Sequence, residues 1–162
     1  MEVKFKNGQL EGLARSMNVV ANVPCKKLGY AVDRNRKVIG SLLNELESRK
    51  RISPSFAAEN KSLLESFEKG RVELCEKWAD KGEDGKPLMK DGEYVITGEG
   101  FKEELREKFP IVCEEIDKAH ASYVSALNEE VTIMVHSIKF DDLPDSFSAN
   151  MLNSISWMVE GM

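Results

Sequence analysis

At 162 residues, 41% hydrophobic and 31% charged, the chain is long enough to bury a core and reads as one soluble domain. No run approaches the roughly 20 apolar residues of a membrane span, so no membrane is expected among its partners. The net charge of −5 conceals an asymmetry: residues 1–51 hold eleven Lys/Arg against five Asp/Glu, and residues 52–162 hold twelve against twenty-three. A basic segment in an acidic chain is either an anion-binding face or one neutralised by the chain's own acidic half or by a neighbouring subunit. The opening MEVKFKNGQLEG lacks the apolar core of a secretory signal. Cys25, Cys75 and Cys113 are odd in number, far apart and without a CxxC, which points to reduced thiols in a cytoplasm. His120 and His136 are not spaced to join them, so no zinc site and no cofactor are expected.

Val3 and Phe5 alternate with Glu2, Lys4 and Lys6, which predicts a strand over 2–6. Asn-Gly at 7–8 ends it, and an apolar face through Leu10, Leu13, Met17 and Val20 predicts a helix over 8–22. Pro24 closes that helix. Leu28, Val32, Asn35, Ile39, Leu42 and Leu46 step by four and three, a heptad-like seam on a helix over 25–51. The sequence ISPS at 52–55 breaks it, and a third helix over 55–81 steps through Phe56, Asn60, Leu63, Phe67, Gly70 and Leu74. Gly70 within such a seam permits close helix approach. A fourth helical run over 100–128 carries Leu105, Phe109, Val112, Ile116, Ala119, Tyr123 and Ala126, with a break or kink at Pro110. Alternation at Val131, Ile133 and Val135 predicts a strand over 130–140, whose natural partner is the strand at 2–6. Asp145 or Ser146 caps a last helix over 146–160. The expected fold is α+β and predominantly α: an antiparallel bundle or long helical hairpin, closed by a small sheet pairing the first and last strands.

The stretch DKGEDGKPLMKD at 80–91 places Asp80, Asp84, Gly85 and Asp91 on positions 1, 5, 6 and 12 of a calcium loop. Position 3 is Gly82, position 9 is Leu88, and Pro87 occupies the pairing position 8, so the ligand cage is incomplete. Two extended runs around Asp91-Gly92 instead predict a β-hairpin over 86–97 at the tip of a helical hairpin. Leu88, Tyr94 and Ile96 would form its semi-buried face.

Lys26, Lys27, Arg34, Arg36 and Lys37 with Tyr30 between them form the one segment with ligand-binding chemistry. Lysines and arginines grip phosphates and Tyr30 can stack on a base. Helical spacing puts Lys27, Arg34 and Lys37 on one face. The alternative is a solvated helix face with exposed ion pairs, each worth under about 1 kcal/mol. A pI near 5.2 argues against a dedicated DNA binder, and no helix-turn-helix or zinc-finger spacing occurs. No Walker loop, GxGxxG, GxSxG or HExxH is found either. Cys113 and His120 share a helix face, but two turns separate them by roughly 10 Å, too far for direct proton transfer. No catalytic residues are assigned, and the chain is not expected to be an enzyme.

The phrases VKFKNGQL, KGEDGKPLMKDGEYVIT, NEEVTI and LPDSFSANMLNSISWMVE are similar to those of small proteins of unknown function encoded by tailed bacteriophages. Those proteins share the order strand, helix, helical hairpin with a D-G-K-P…D-G-x-Y-x-I insert, strand, short helix. The resemblance covers about half the chain, implies a life in the cytoplasm of an infected bacterium, and carries over no catalytic residues. The expected role is a non-enzymatic, homo-oligomeric interaction protein that binds a host partner, such as a defence component, or a phage assembly partner. Its contact surface would include Tyr94, Phe147, Met151, Ile155 and Trp157. Two alternatives stand beside it: sequestration of a nucleotide-type anionic ligand by residues 26–37, and nucleic-acid binding or DNA mimicry.

Overall fold

The computed structural model describes residues 1–161, an α+β chain in which helices predominate. Backbone packing divides it into two compact units, Met1–Lys50 with the chain from Ser122 onward, and Arg51–Ala121. The first crossing falls just before the ISPS break. The second lies inside a helix and has no mark in the sequence.

In the first unit, β1 (Glu2–Lys6) pairs antiparallel with β4 (Glu130–Met134), with Val3 opposite Ile133 and Phe5 opposite Val131. This register turns all four apolar side chains toward one core. Asn7 closes the ladder, its backbone N–H donating to the Glu129 carbonyl and its Nδ2 to the Ala126 carbonyl. The core is completed by α1 (Leu10–Val19), α2 (Lys26–Ser48) and α7 (Ala149–Ile155). Leu28, Val32, Asn35, Ile39 and Leu46 of the α2 seam are all buried. The seam is therefore spent within its own unit, where burying each of its four aliphatic side chains, Leu28, Val32, Ile39 and Leu46, is worth about 1.5–3 kcal/mol.

Two expected elements are divided here. The strand over 130–140 becomes β4, an irregular link at 135–137, and β5 (Ile138–Lys139), which pairs in parallel with β6 (Val159–Glu160). The link is tied to α2: Asn35 Nδ2 donates to the His136 carbonyl and Asn35 Oδ1 accepts the His136 N–H, both at 2.9 Å. The β1–β4 ladder runs on to Val135, which exchanges both backbone bonds with Met1, and the two Asn35 bonds take up the His136 groups on the other edge of the strand. The last helix starts from Ser148, whose Oγ accepts the Met151 N–H, and stops at Ile155. A single 3₁₀ turn, 156–158, then delivers the chain into β6. Likewise the first helix is shorter than 8–22, since 7–9 form a separate turn, and α2 ends at Ser48 rather than 51.

The second unit contains α3 (Pro54–Glu59), α4 (Lys61–Trp78), α5 (Gly100–Lys108) and the first part of α6 (Pro110–Leu127). The expected helix over 55–81 is broken at Asn60, at φ −118° and ψ 31°, where the side-chain Nδ2 donates to the Phe56 carbonyl and competes with the helix. Phe67, Phe109, Val112 and Cys113 form the core, with the Phe67 and Phe109 rings edge to face at 5.4 Å. Gly70 is buried beneath Phe109, and a Cβ there would lie 2.5 Å from the ring. Between α4 and α5, β2 (Met89–Lys90) and β3 (Glu93–Tyr94) pair antiparallel around Asp91-Gly92. Both turn residues have positive φ, 53° and 84°, which suits the twist of a two-residue hairpin. In the preceding turn Asp84 Oδ1 accepts the Lys86 N–H and Gly82 N–H donates to the Lys86 carbonyl. Among the described residues no helix is long and apolar enough to cross a membrane.

Candidate functional site

The first unit carries a cleft of about 710 Å³, lined by the start of α2, the 135–137 link, β5 and the end of β6. Its side chains include Lys26, Lys27, Tyr30, His136, Lys139, Asp142 and Glu160. α2 enters from Cys25, an extended residue with no side-chain cap, and the Cys25 thiol donates to the Asp142 carbonyl at 3.5 Å. The first turn of α2 is thereby set against the 140–142 turn, and Lys27 Nζ reaches Asp142 Oδ1 at 2.5 Å. On the opposite wall, the Ser137 hydroxyl donates to Glu160 Oε1. Lys26 and Lys139 are exposed and enter no ion pair among the described residues.

Tyr30 is 58% exposed, high for an aromatic side chain in a cleft. The His136 ring meets it edge to face at 6.3 Å, and the Arg34 guanidinium lies 5.2 Å from its centroid. His136 is held in place from beneath by Asn35, 1% exposed, whose Nδ2 also lies 3.6 Å from Met158 Sδ. A single buried amide therefore fixes the backbone of the residue that borders Tyr30.

Of the six ligand-binding residues expected from sequence, Lys26, Lys27 and Tyr30 line the cleft, and Arg34 reaches it through the Tyr30 ring. Arg36 and Lys37 do not take part. Arg36 Nη2 donates to Asn18 Oδ1 at 2.6 Å, and Lys37 pairs with Asp33 at 2.7 Å on the same helix. That pair holds the Asp33 carboxyl below the usual carboxylate range, the Lys37 hydrogen bond being the main cause. The face expected to unite Lys27, Arg34 and Lys37 is thus replaced by an i, i+4 stripe of Lys26, Tyr30 and Arg34. Sequence reasoning missed His136, Ser137, Lys139, Asp142 and Glu160, which come from the other end of the chain.

The expected interaction surface is altered more deeply. Ile155 is fully buried and cannot serve as a contact surface. Phe147, Met151 and Trp157 are half-buried against the same core, Trp157 edge to face with Phe5 at 5.9 Å and donating its Nε1–H to Ser16 Oγ. The helical spacing that singled these residues out reflects packing inside the unit. In the second unit, the half-buried Tyr94 donates its hydroxyl to Glu76 Oε1 at 3.0 Å, and the Glu76 carboxylate pushes the phenol's pKa up.

No protein-family model, curated protein or solved structure matches this chain. What the residues of the cleft can do is hold an anion beside an aromatic face.

Proposed function

We propose that the protein binds a small nucleotide-type anion in the cleft of its first unit, without catalysing a reaction on it. The observation that carries this is the joint exposure of Tyr30, Lys26 and Lys139, the two lysines without an ion pair among the described residues, in one cavity of about 710 Å³. That volume falls in the range of roughly 300–1,000 Å³ typical of small-molecule sites. The lysines supply point charges for a phosphate, and Tyr30 supplies a flat face for a base. With the similarity to tailed-phage proteins, this fits a phage-encoded protein that sequesters a nucleotide signal in the cytoplasm of an infected host.

The test is thermal shift across a panel of nucleotides, followed by calorimetry on Tyr30→Ala, Lys26→Ala and Lys139→Ala. Ligand at a hundred times Kd stabilises by about 2.7 kcal/mol, a rise of a few degrees in Tm. Each variant should weaken binding at least fivefold while leaving the unliganded Tm within about 1 °C. Absence of a shift with any nucleotide refutes the proposal.

Protein–protein contact, including self-association, is favoured by a different observation: the exposed apolar side chains of Met134 and Phe140 near the same cleft. In that case the helical hairpin of the second unit, with residues 86–97 at its tip, would supply a further surface through exposed Leu88 and Met89. Light scattering that gives a strict monomer, with no partner retained from infected cells, would remove it.

A further inference from the structure

We propose that the outer edge of β4 is a docking site for an extended, Lys- or Arg-bearing segment of a partner protein, added as a third strand beside β1 and β4. The register fixes which backbone groups face outward. Met1 and Val135 exchange both bonds, the Met1 ammonium and the Val135 N–H donating to the facing carbonyls at 3.0 and 2.7 Å, and the Asn7 N–H donates to the Glu129 carbonyl at the other end. In an antiparallel ladder such pairs alternate, so Val131 and Ile133 bond β1, whereas Glu130, Thr132 and Met134 turn their N–H and C=O groups away from it. All three residues are exposed, and among the described residues no strand or side chain bonds those groups. At the next outward position, His136, Asn35 takes both groups and closes the free run at that end. Each of the three open residues offers a donor and an acceptor, enough to hold a strand of about five residues.

The other edges are guarded or short. On β1 the outward Lys6 N–H is taken by Gln9 Oε1 at 2.8 Å, and Lys4 and Lys6 are exposed lysines of the kind that blunt an edge. The β2–β3 and β5–β6 pairs have two residues per strand. β4 has neither lysine nor proline, and its Met134 side chain is 59% exposed. What borders the edge sets the chemistry of its occupant. At the Glu130 end lies a hollow of about 180 Å³ between β4 and α2, bordered by Leu42, Glu45, Arg49, Glu129 and Val131. Arg49 is matched by Glu129 at 3.5 Å, whereas Glu45 and Glu130 enter no ion pair among the described residues. The charge left over is acidic, so the segment that fits carries Lys or Arg at that end and β-branched residues along the ladder. Strand addition draws its affinity from main-chain bonds and its specificity from alternate side chains. The site is independent of nucleotide binding in the cleft.

The experiment is fluorescence polarisation of the full chain with the labelled, C-terminally amidated peptide Lys-Val-Thr-Val-Thr-Val-Lys. It should bind, and Thr132→Pro, which deletes an outward N–H and leaves the bonds to β1 in place, should weaken binding about tenfold, while Thr132→Ala leaves it unchanged. Glu130→Lys should weaken it about fivefold and flatten its salt dependence. Peptides N-methylated on the valines alone or on the threonines alone test the wild-type chain directly. One set should abolish binding and the other leave it within about twofold, because only alternate N–H groups of a strand face β4. No binding of the parent peptide, equal loss with both methylated sets, or full binding to a folded Thr132→Pro overturns the proposal. So does light scattering that shows a wild-type dimer dissociating in Thr132→Pro, since a second copy would then occupy the edge.

Discussion

Asn35 offers the sharpest test of how the first unit is held together. It is the one buried polar side chain among the described residues, and it bonds both backbone groups of His136 at 2.9 Å. Replacing it with Ala removes two hydrogen bonds and strands a donor and an acceptor that are partly buried. Each such group costs about 1–3 kcal/mol, and their partial burial places each near the lower end, so the expected loss is about 2–4 kcal/mol. Asn18→Ala removes the exposed partner of Arg36 and should cost under about 0.5 kcal/mol. Asn35→Asp is more discriminating. The carboxylate can still accept the His136 N–H, but it faces the His136 carbonyl with no proton to donate and is desolvated. Its folded-state pKa should therefore rise above the unfolded value near 3.9. A raised acid pKa means a penalty that is absent below the unfolded value and grows as pH climbs toward the folded value, by about 1.4 kcal/mol per pH unit. The variant should thus be relatively more stable at pH 4 than at pH 7. Urea unfolding followed by Trp157 fluorescence in a Trp78→Phe background reads the first unit alone. Equal losses for Asn35→Ala and Asn18→Ala, or a pH-independent deficit in Asn35→Asp, would refute the assignment.

Two glycines should respond oppositely to alanine. Gly40→Ala, mid-helix in α2 with nothing within 4 Å of the new Cβ, should stabilise by about 1 kcal/mol, whereas Gly70→Ala, 2.5 Å from the Phe109 ring, should destabilise by about 1–2 kcal/mol in chemical unfolding. Glu104 accepts from Lys77 and from the Trp78 indole at 2.8 Å, and these hold its pKa below the usual carboxylate range, the Lys77 hydrogen bond being the larger cause. A lowered acid pKa gives a contribution present above the unfolded value and lost as pH falls through the folded one; the Trp78 Nε1–H resonance should shift there, and in Glu104→Gln it should not titrate. Cys113 is buried and desolvation pushes its thiol pKa up, so iodoacetamide should label Cys25 and Cys75 first, with mass spectrometry reading the order.

Much of the architecture was legible because it rests on short-range periodicity. Val3 and Phe5, and Val131 and Ile133, alternate with polar neighbours and lie opposite one another in β1 and β4. The α2 seam was visible residue by residue, although periodicity shows only that a face is apolar and not what covers it. The breaks depend on single polar side chains acting on backbone far away or nearby. Val135 continues the alternation of β4, and nothing near it reveals that Asn35 ties His136 to α2. The polar residue in an apolar seam was the available signal, since a buried amide needs partners. Asn60 left the same signal in the next helix. The cleft was half legible: Lys26, Lys27 and Tyr30 are neighbours in sequence, whereas Asp142 joins them through its contacts with Cys25 and Lys27, and Glu160 joins Lys139 through the β5–β6 pairing.

The division of the chain also orders events during synthesis. The second unit is one continuous segment, Arg51–Ala121, and its contacts can all form once that segment has emerged from the ribosome. The first unit is interrupted by it: β1 must wait for β4, and α1 for α7, across more than half the chain. Such long loop closures are slow to nucleate, so the nascent N-terminal third, with its apolar α2 seam covered by α1 alone, stays partly exposed until translation is nearly complete. A stalled or truncated product would therefore hold a folded middle between sticky ends, a natural substrate for chaperones and proteases.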